Sequence, residues 1–329
     1  MKRFFIHPEK VIKGIVSRIE SKDYYVFDST GNDIIRCSLR GKFKNEFKLK
    51  KDKLFHTDIT VVGDLVEYEL NTDGSGVIYK IGKRQNYISR KAPRIRGASY
   101  RGERLEQIIA ANIDSIIVVS SVSEPVFNNK TIDRLLVIGE SAGLNPVIVI
   151  NKIDLDEKDQ IKYWVDLYQR TGYRVIKTSA ITSEGIAELK SLLDGKINLL
   201  FGHSGVGKSS LLNLMYTGLK LKVGKISSFT DKGTHTTVTS IMIKVDGSTF
   251  VIDTPGIREI DPFGIRKEDV GYYFIEFSNY SPECKFNTCT HFHEPGCAVI
   301  KAVEEGNISA ERYESYLKIL ETVEEDILF

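Results

Sequence analysis

The chain has 329 residues, 41% of them hydrophobic and 27% charged, with a formal net charge of +2; this is the profile of a globular protein long enough for two or three domains. No apolar run approaches the roughly eighteen residues of a membrane span, and the start, MKRFFIHPEK, carries no secretory leader, so a membrane protein is not expected and a cytoplasmic one is. The small net charge hides an asymmetry: residues 1–104 hold 23 Lys and Arg against 13 Asp and Glu, while the remainder is acidic, and a basic end should face a polyanion.

Residues 8–83 alternate short β-rich runs with turn residues and contain no amphipathic helix of normal length. Strands are predicted over Val11–Ile19, Tyr24–Asp28, Asp33–Leu39, Asp64–Leu70 and Gly76–Ile81, with turns at Ser21-Lys22-Asp23 and Thr30-Gly31-Asn32. Five strands in so short a span fit an OB-type β-barrel, a fold that binds oligonucleotides. Between the third and fourth strands, six lysines (42, 44, 48, 50, 51 and 53) face only Glu46 and Asp52. Alone such a run reads as a solvated loop. Nine further cations between Lys80 and Arg104, against Glu103 only, favour phosphate contacts that are salt-sensitive and poor in sequence information. Residues 91–104 therefore read as a basic linker after a barrel domain of residues 1–90.

The pattern then changes to alternating strands and helices. Asp114–Ser120, Pro146–Ile150 and Tyr173–Lys177 read as buried strands, and Lys130–Ala142, Lys158–Thr171 and Gly185–Leu193 as helices. Alternation of this kind builds a parallel sheet covered on both faces, with ligands at the carboxyl ends of its strands. The second strand runs into Asn151-Lys152-Ile153-Asp154, the NKxD motif with which GTP-binding proteins read the base. The Asp154 carboxylate can accept from guanine N1–H and the 2-amino group, a pair that adenine does not offer. The third strand ends in Thr178-Ser179-Ala180, similar to the loop that closes over guanine in those proteins, where the N–H near Ala180 would meet O6.

Lys196–Phe201 reads as another strand and leads into Gly202-His203-Ser204-Gly205-Val206-Gly207-Lys208-Ser209-Ser210, a complete GxxxxGK[ST] phosphate loop followed by an apolar helix. Glycines there let backbone N–H groups turn onto a phosphate chain, and the helix aims its positive end at the same place. Lys208 would reach the β and γ phosphates and the Ser209 hydroxyl would ligate Mg²⁺. Gly218–Thr239 is polar and poorly periodic, as a switch loop should be, and Thr236 or Thr237 within it would complete the Mg²⁺ shell, with Thr237 preferred. Ser240–Val245 and Ser248–Ile252 form a hairpin across Asp246-Gly247. It ends in Asp253-Thr254-Pro255-Gly256, where Asp253 would hold Mg²⁺ through water and Gly256 would sense the γ-phosphate. Every part of a GTPase site is present, yet base reader precedes phosphate loop. A circular permutation explains this, because the ligand touches only the loops at one sheet edge. Residues 105–263 thus read as a circularly permuted α/β P-loop GTPase domain.

The last part, residues 264–329, reads as an α-rich zinc-binding domain. Cys284, Cys289, His291 and Cys297 give a closed, structural Cys₃His set for one Zn²⁺, with His293 ranked below His291 and Cys37 read as a core residue. A helix from Ala298 to Glu305 and a last one capped by Ser309 follow.

With these elements in this order the sequence resembles the RsgA/YjeQ family of circularly permuted GTPases, which act in maturation of the small ribosomal subunit. The resemblance covers nearly the whole chain through NKID, GHSGVGKSS, THTT, DTPG and HFHEPGCAV. It implies a GTP hydrolase with GTP/GDP and Mg²⁺ as its ligands, binding to the small subunit and its rRNA, and nucleotide-controlled release late in assembly. A monomer without DNA or membrane partners is expected. Ile257 stands where many signalling GTPases carry a water-orienting glutamine, so His235, beside the switch threonines, is the candidate for that role; Lys208 and Thr237, at the phosphates and Mg²⁺, are the other candidate catalytic residues. THTT lacks the basic residue that often precedes the histidine in the family. Two other classes of function stand as alternatives: an RNA-binding assembly factor in which GTP occupancy alone does the work, and an ATP-driven nuclease or helicase, the latter disfavoured by Asp154 and by the lack of a paired-carboxylate metal site.

Overall fold

The computed structural model describes residues 12–41, 43, 59–91, 106–219, 240–254 and 264–323. Five strands open the chain: β1 (Ile12–Glu20), β2 (Asp23–Asp28), β3 (Ile34–Leu39), β4 (Leu65–Leu70) and β5 (Gly76–Ile81). They close in the order β1-β2-β3-β5-β4, with β4 pairing back onto β1 and only β3 and β5 running parallel. Alternation fills the barrel: Val16, Val26, Cys37, Leu39, Val66, Tyr68 and Ile78 point inward and are buried. The predicted OB-type barrel is the observed one, and the predicted strands shift by one residue at most.

The start of the basic segment after the barrel belongs to a ribbon that the sequence did not foretell. Strand β6 (Tyr87–Lys91) pairs antiparallel with β7 (Glu106–Ala111), placing the first residue of the expected linker inside a ladder. Ile88 and Ile109 of this ribbon are buried in the same core as Phe27 and Val62 of the barrel.

The central domain continues with β8 (Ser115–Ser121), α1 (Asn129–Ser141), β9 (Val147–Asn151), α2 (Lys162–Thr171), β10 (Arg174–Thr178), α3 (Ile186–Leu193), β11 (Ile197–Phe201), α4 (Lys208–Met215), β12 (Ile241–Asp246) and β13 (Thr249–Asp253). One six-stranded sheet results, ordered β10-β9-β8-β11-β13-β12 and parallel except for β12. Successive residues of β8 serve opposite faces: Ile116 and Val118 pack with Leu136 of α1 and Tyr168 of α2, while Ile117 and Val119 pack with Leu189 of α3 and Leu212 of α4. Both faces are covered, which explains why the strands read as continuous apolar runs. Helix α2 begins four residues later than expected: the Asp156 carboxylate accepts from the Gln160 and Ile161 N–H groups in the turn before it, and the helix starts after Ile161.

The chain ends in 3₁₀ turns at Lys267–Tyr273, Ile275–Asn279 and Ser281–Glu283, then α5 (Ala298–Glu304) and α6 (Ala310–Thr322). Ser309 caps α6, accepting from the Arg312 N–H at 3.3 Å. Phe274, Phe277 and Tyr316 meet with ring centroids 5.0–5.3 Å apart, and Val137 of α1 joins their cluster. Burying aromatics of this size contributes on the order of 2 kcal/mol each, so the C-terminal unit is seated on α1 by a real core. Among the described residues no helix is long and apolar enough to cross a membrane.

Candidate nucleotide and metal sites

The parallel strands all end at one edge, where Asn151–Asp154, Ser179, Ala180, Gly202–Ser210 and Asp253 lie. Between β11 and α4 the phosphate loop turns through Gly202, Gly205 and Gly207, all at positive φ. Two of these cannot carry a side chain. A Cβ on Gly202 would lie 2.3 Å from the Val119 carbonyl oxygen, and one on Gly207 would lie 2.1 Å from Asn151 Nδ2. Val206 is buried as the loop's anchor, Ser209 is buried in the first turn of α4, Ser204 and Gly205 are exposed, and His203 and Ser210 are half-buried.

The base-reading motif is bolted to this loop. Asn151, at the end of β9, donates from Nδ2 to the Val206 carbonyl at 2.8 Å and accepts from the Thr178 hydroxyl at 3.1 Å. Strands β9 and β10 and the phosphate loop are thereby fixed to one another by a single buried amide. Lys152 adopts left-handed φ and donates to the Glu124 carbonyl, while Ile153-Asp154-Leu155 form one 3₁₀ turn. Asp154 is exposed, and its Oδ1 accepts from the Ser179 hydroxyl at 2.5 Å. Ser179 Oγ in turn accepts from the Ile181 and Thr182 N–H groups, both at 3.1 Å, with half-buried Ala180 between them. The carboxylate that would grip guanine and the loop that would close over it are thus already joined.

Charge at the phosphate end is set by Lys208 and Asp253. Lys208 Nζ donates to the Gly202 and His203 carbonyls at 2.6 and 3.0 Å. Burial lowers its affinity for a proton, with Asp253 working in the opposite direction. Asp253, the last residue of β13, is buried, and desolvation pushes its carboxyl up to about 6 against the pull of Lys208 and the Thr254 N–H. The Asp253 carboxylate and the Ser209 hydroxyl are both buried, and hard oxygen donors of these two kinds suit Mg²⁺. His235, Thr236, Thr237 and Gly256 lie outside the described residues.

In the C-terminal unit Cys284, Cys289, His291 and Cys297 converge, each offering one ligand atom and all four atoms lying within 4.8 Å of one another. Cys284 Sγ and Cys297 Sγ are 3.9 Å apart, and His291 Nδ1 lies 3.6 and 3.4 Å from them. Tetrahedral zinc with Zn–S bonds of about 2.3 Å separates its sulfur ligands by roughly 3.8 Å, so the set fits Zn²⁺. His291 Nε2 lies 3.3 Å from Ser281 Oγ, whose hydroxyl donates to the Phe277 carbonyl at 2.9 Å. Ser281 therefore accepts from Nε2–H and leaves Nδ1 free to ligate. His293 is outside the cluster, as its lower rank anticipated.

Two features escaped sequence reading. The segment after β8 lies over the site, with the Glu124 carbonyl on Lys152 and Pro125 3.5 Å from the Cβ position of Gly205; its sequence carries no motif. Arg312 is 1% exposed and donates to Asp133 at 2.7 Å and to both oxygens of Glu276 at 2.7 and 2.9 Å. The signal for it was present: Arg312 falls four residues before Tyr316 on the apolar stripe of α6.

Comparison with known proteins agrees with this geometry. The family model described as RsgA GTPase matches residues 81–263, and the RsgA N-terminal domain model matches residues 13–78. The small ribosomal subunit biogenesis GTPase RsgA of Chlorobaculum parvum is 39% identical over 320 residues, covering 96% of this chain and 99% of that protein. The small ribosomal subunit biogenesis GTPase RsgA 2 of Bacteroides thetaiotaomicron is 40% identical over 317 residues, with 95% and 98% covered. Among solved structures, YjeQ from Thermotoga maritima superposes with a TM-score of 0.73 at 37% identity, over 94% of this chain and 98% of that one. YloQ, described as a circularly permuted GTPase, gives 0.69 at 27% identity, over 98% and 97%.

Proposed function

The chain belongs to the RsgA family of GTPases, and from that premise we propose that it hydrolyses GTP at the carboxyl edge of its six-stranded sheet and that its nucleotide state governs binding to, and release from, the small ribosomal subunit during late maturation. The observation that supports the reading is the Asn151 amide, which ties the strand that leads into the base-reading motif directly to the phosphate loop.

Each residue then has a chemical task. Asp154 accepts from guanine N1–H and the 2-amino group, Asn151 and Lys152 hold that loop in place with Ile153 leading on to Asp154, and Ser179 and Ala180 close over the base. Backbone N–H groups from Gly202 through Ser210 enclose the phosphates, and the Lys208 ammonium offsets charge that develops as the γ-phosphoryl group transfers. Ser209, Thr237 or Thr236, and Asp253 would hold Mg²⁺, which when bound neutralises the β and γ oxygens. Gly256 senses the γ-phosphate and His235 orients the attacking water. Cys284, Cys289, His291 and Cys297 would hold one structural Zn²⁺. The barrel and its basic flank hold rRNA through phosphate contacts. The protein acts as a cytoplasmic monomer.

GTP turnover by the purified protein, alone and then with small subunits, large subunits or bulk RNA, tests the reading. Stimulation by small subunits only is the expected result. Equal turnover under all four conditions would remove the small subunit as partner.

A further inference from the structure

His203 touches two things at once. Its carbonyl accepts from Lys208 Nζ at 3.0 Å, and its Nε2 lies 3.4 Å from the hydroxyl of Thr131. Thr131 stands in the first turn of α1, where its N–H is held by the Asn128 cap at 3.2 Å. The same stretch of α1 is gripped from the far side by α6. Lys130 pairs with Glu314 at 2.8 Å, Asn129 donates to Ser315 at 3.4 Å, and Asp133 accepts from Arg312 at 2.7 Å. Asp133 and Arg312 are both buried, and Arg312 packs over Phe274 with its guanidinium 4.6 Å from the ring centroid. This grip is made or broken as a whole, because a partial opening would leave a buried charge unpaired.

Phosphate oxygens compete with the His203 carbonyl for the Lys208 ammonium. Engagement of a phosphate chain therefore changes what His203 is bonded to, and the imidazole passes that change to Thr131. We propose that His203 and Thr131 are positioning residues that tie occupancy of the phosphate loop to the seating of α6 on α1. The C-terminal unit then reads the nucleotide through α1 directly, in addition to its chain connection beyond β13. Coupling of this kind is reciprocal: whatever nucleotide does to α6, the docking of α6 does to nucleotide affinity. The inference rests on the guanine-nucleotide reading of the site.

Amide hydrogen exchange over residues 310–322 of the full-length protein, with and without GDP and Mg²⁺, tests it, alongside GDP affinity measured separately by fluorescence. In the wild type, exchange across α6 should differ about fivefold or more between free and nucleotide-bound protein. Thr131→Val keeps the shape of the residue and should retain GDP affinity within about threefold while abolishing that difference. Arg312→Lys, which keeps a charge beside Asp133, should alter GDP affinity in the wild-type background and leave it unchanged in the Thr131→Val background. Bound GDP with no change in α6 exchange, or the same change in Thr131→Val, would overturn the inference alone. Failure of the wild type to bind GDP would overturn the nucleotide reading and the inference with it.

Discussion

Asp154 and Gly207 are the residues on which the nucleotide reading bears hardest. Asp154 carries a carboxylate that presents two acceptors, and guanine answers with two donors. Asp154→Asn replaces one acceptor by a donor, so it should lose GDP affinity by about 100-fold, the cost of breaking a charge-assisted pair and leaving a donor facing a donor. Xanthine carries an oxygen where guanine carries its 2-amino group, and the variant should prefer xanthosine diphosphate; competition against a fluorescent guanine nucleotide measures both. An unchanged preference for GDP would remove the base-reading assignment. Gly207→Ala tests the phosphate end, since its Cβ would sit 2.1 Å from Asn151 Nδ2 at a φ of +98°. The loop and the β9 end would have to part, and GDP binding should fall by at least 10-fold, a loss of about 1.4 kcal/mol or more. These residues were legible because nucleotide chemistry fixes their types and spacing. Glu124 was not, because it contributes a carbonyl, and any residue type supplies one.

At the scale of elements, the C-terminal unit should depend on the proposed zinc more than on helix propensity. Its 3₁₀ turns and seven-residue α5 are too short to persist alone, and Cys297 belongs to the Cys/His cluster and also caps α5, its Sγ accepting from the Ile300 N–H at 3.4 Å. Elemental analysis should find one zinc per chain. Cys289→Ser, or chelation under mild denaturant, should release it and expose residues 264–323 to protease while the six-stranded sheet stays resistant. Retention of protease resistance without zinc would show that the apolar cluster suffices. Arg312→Met should cost about 3–5 kcal/mol in urea unfolding, because Asp133 and Glu276 would then share a buried site without their cation. Strands and helices with a clean apolar period were readable to within a residue or two, the start of α2 excepted; the β6–β7 ribbon was not. Arg90 and Lys91 interrupt its apolar pattern, Pro93 follows at once, and its pairing closes across residues that carry no turn motif. Similarly, Val270–Phe277 read as an apolar stretch of no stated geometry. It takes 3₁₀ form where Gly271 passes so near the His291 ring that an added Cβ would lie 3.0 Å from it.

Over the whole molecule, motif order gave away the permutation, but the union of barrel and sheet came only with the coordinates. Phe27 of β2 meets Phe250 of β13 at 5.4 Å, and Lys244 of edge strand β12 donates to the Thr30 carbonyl and to Asn32 Oδ1 at 3.2 and 2.8 Å. The barrel is thereby held against the strands that lead to Asp253. If the basic N-terminal third carries the proposed small-subunit contact, affinity must follow the physics of counterion release, in which each neutralised phosphate adds about −0.7 to −0.9 to the slope of log K against log salt. Six such contacts would lower affinity by about 10³-fold between 50 and 200 mM salt. Replacing Lys44, Lys48, Lys50 and Lys51, which lie outside the described residues, by glutamine should flatten the slope by about three units or so. GTP affinity in the absence of the subunit should stay as it was, because those lysines belong to the barrel segment and the nucleotide edge is built from residues 151–254. A slope that the four substitutions leave unchanged would move the contact to the cations between Lys80 and Arg104 or to the acidic two-thirds of the chain, and filter binding across a salt series separates these outcomes.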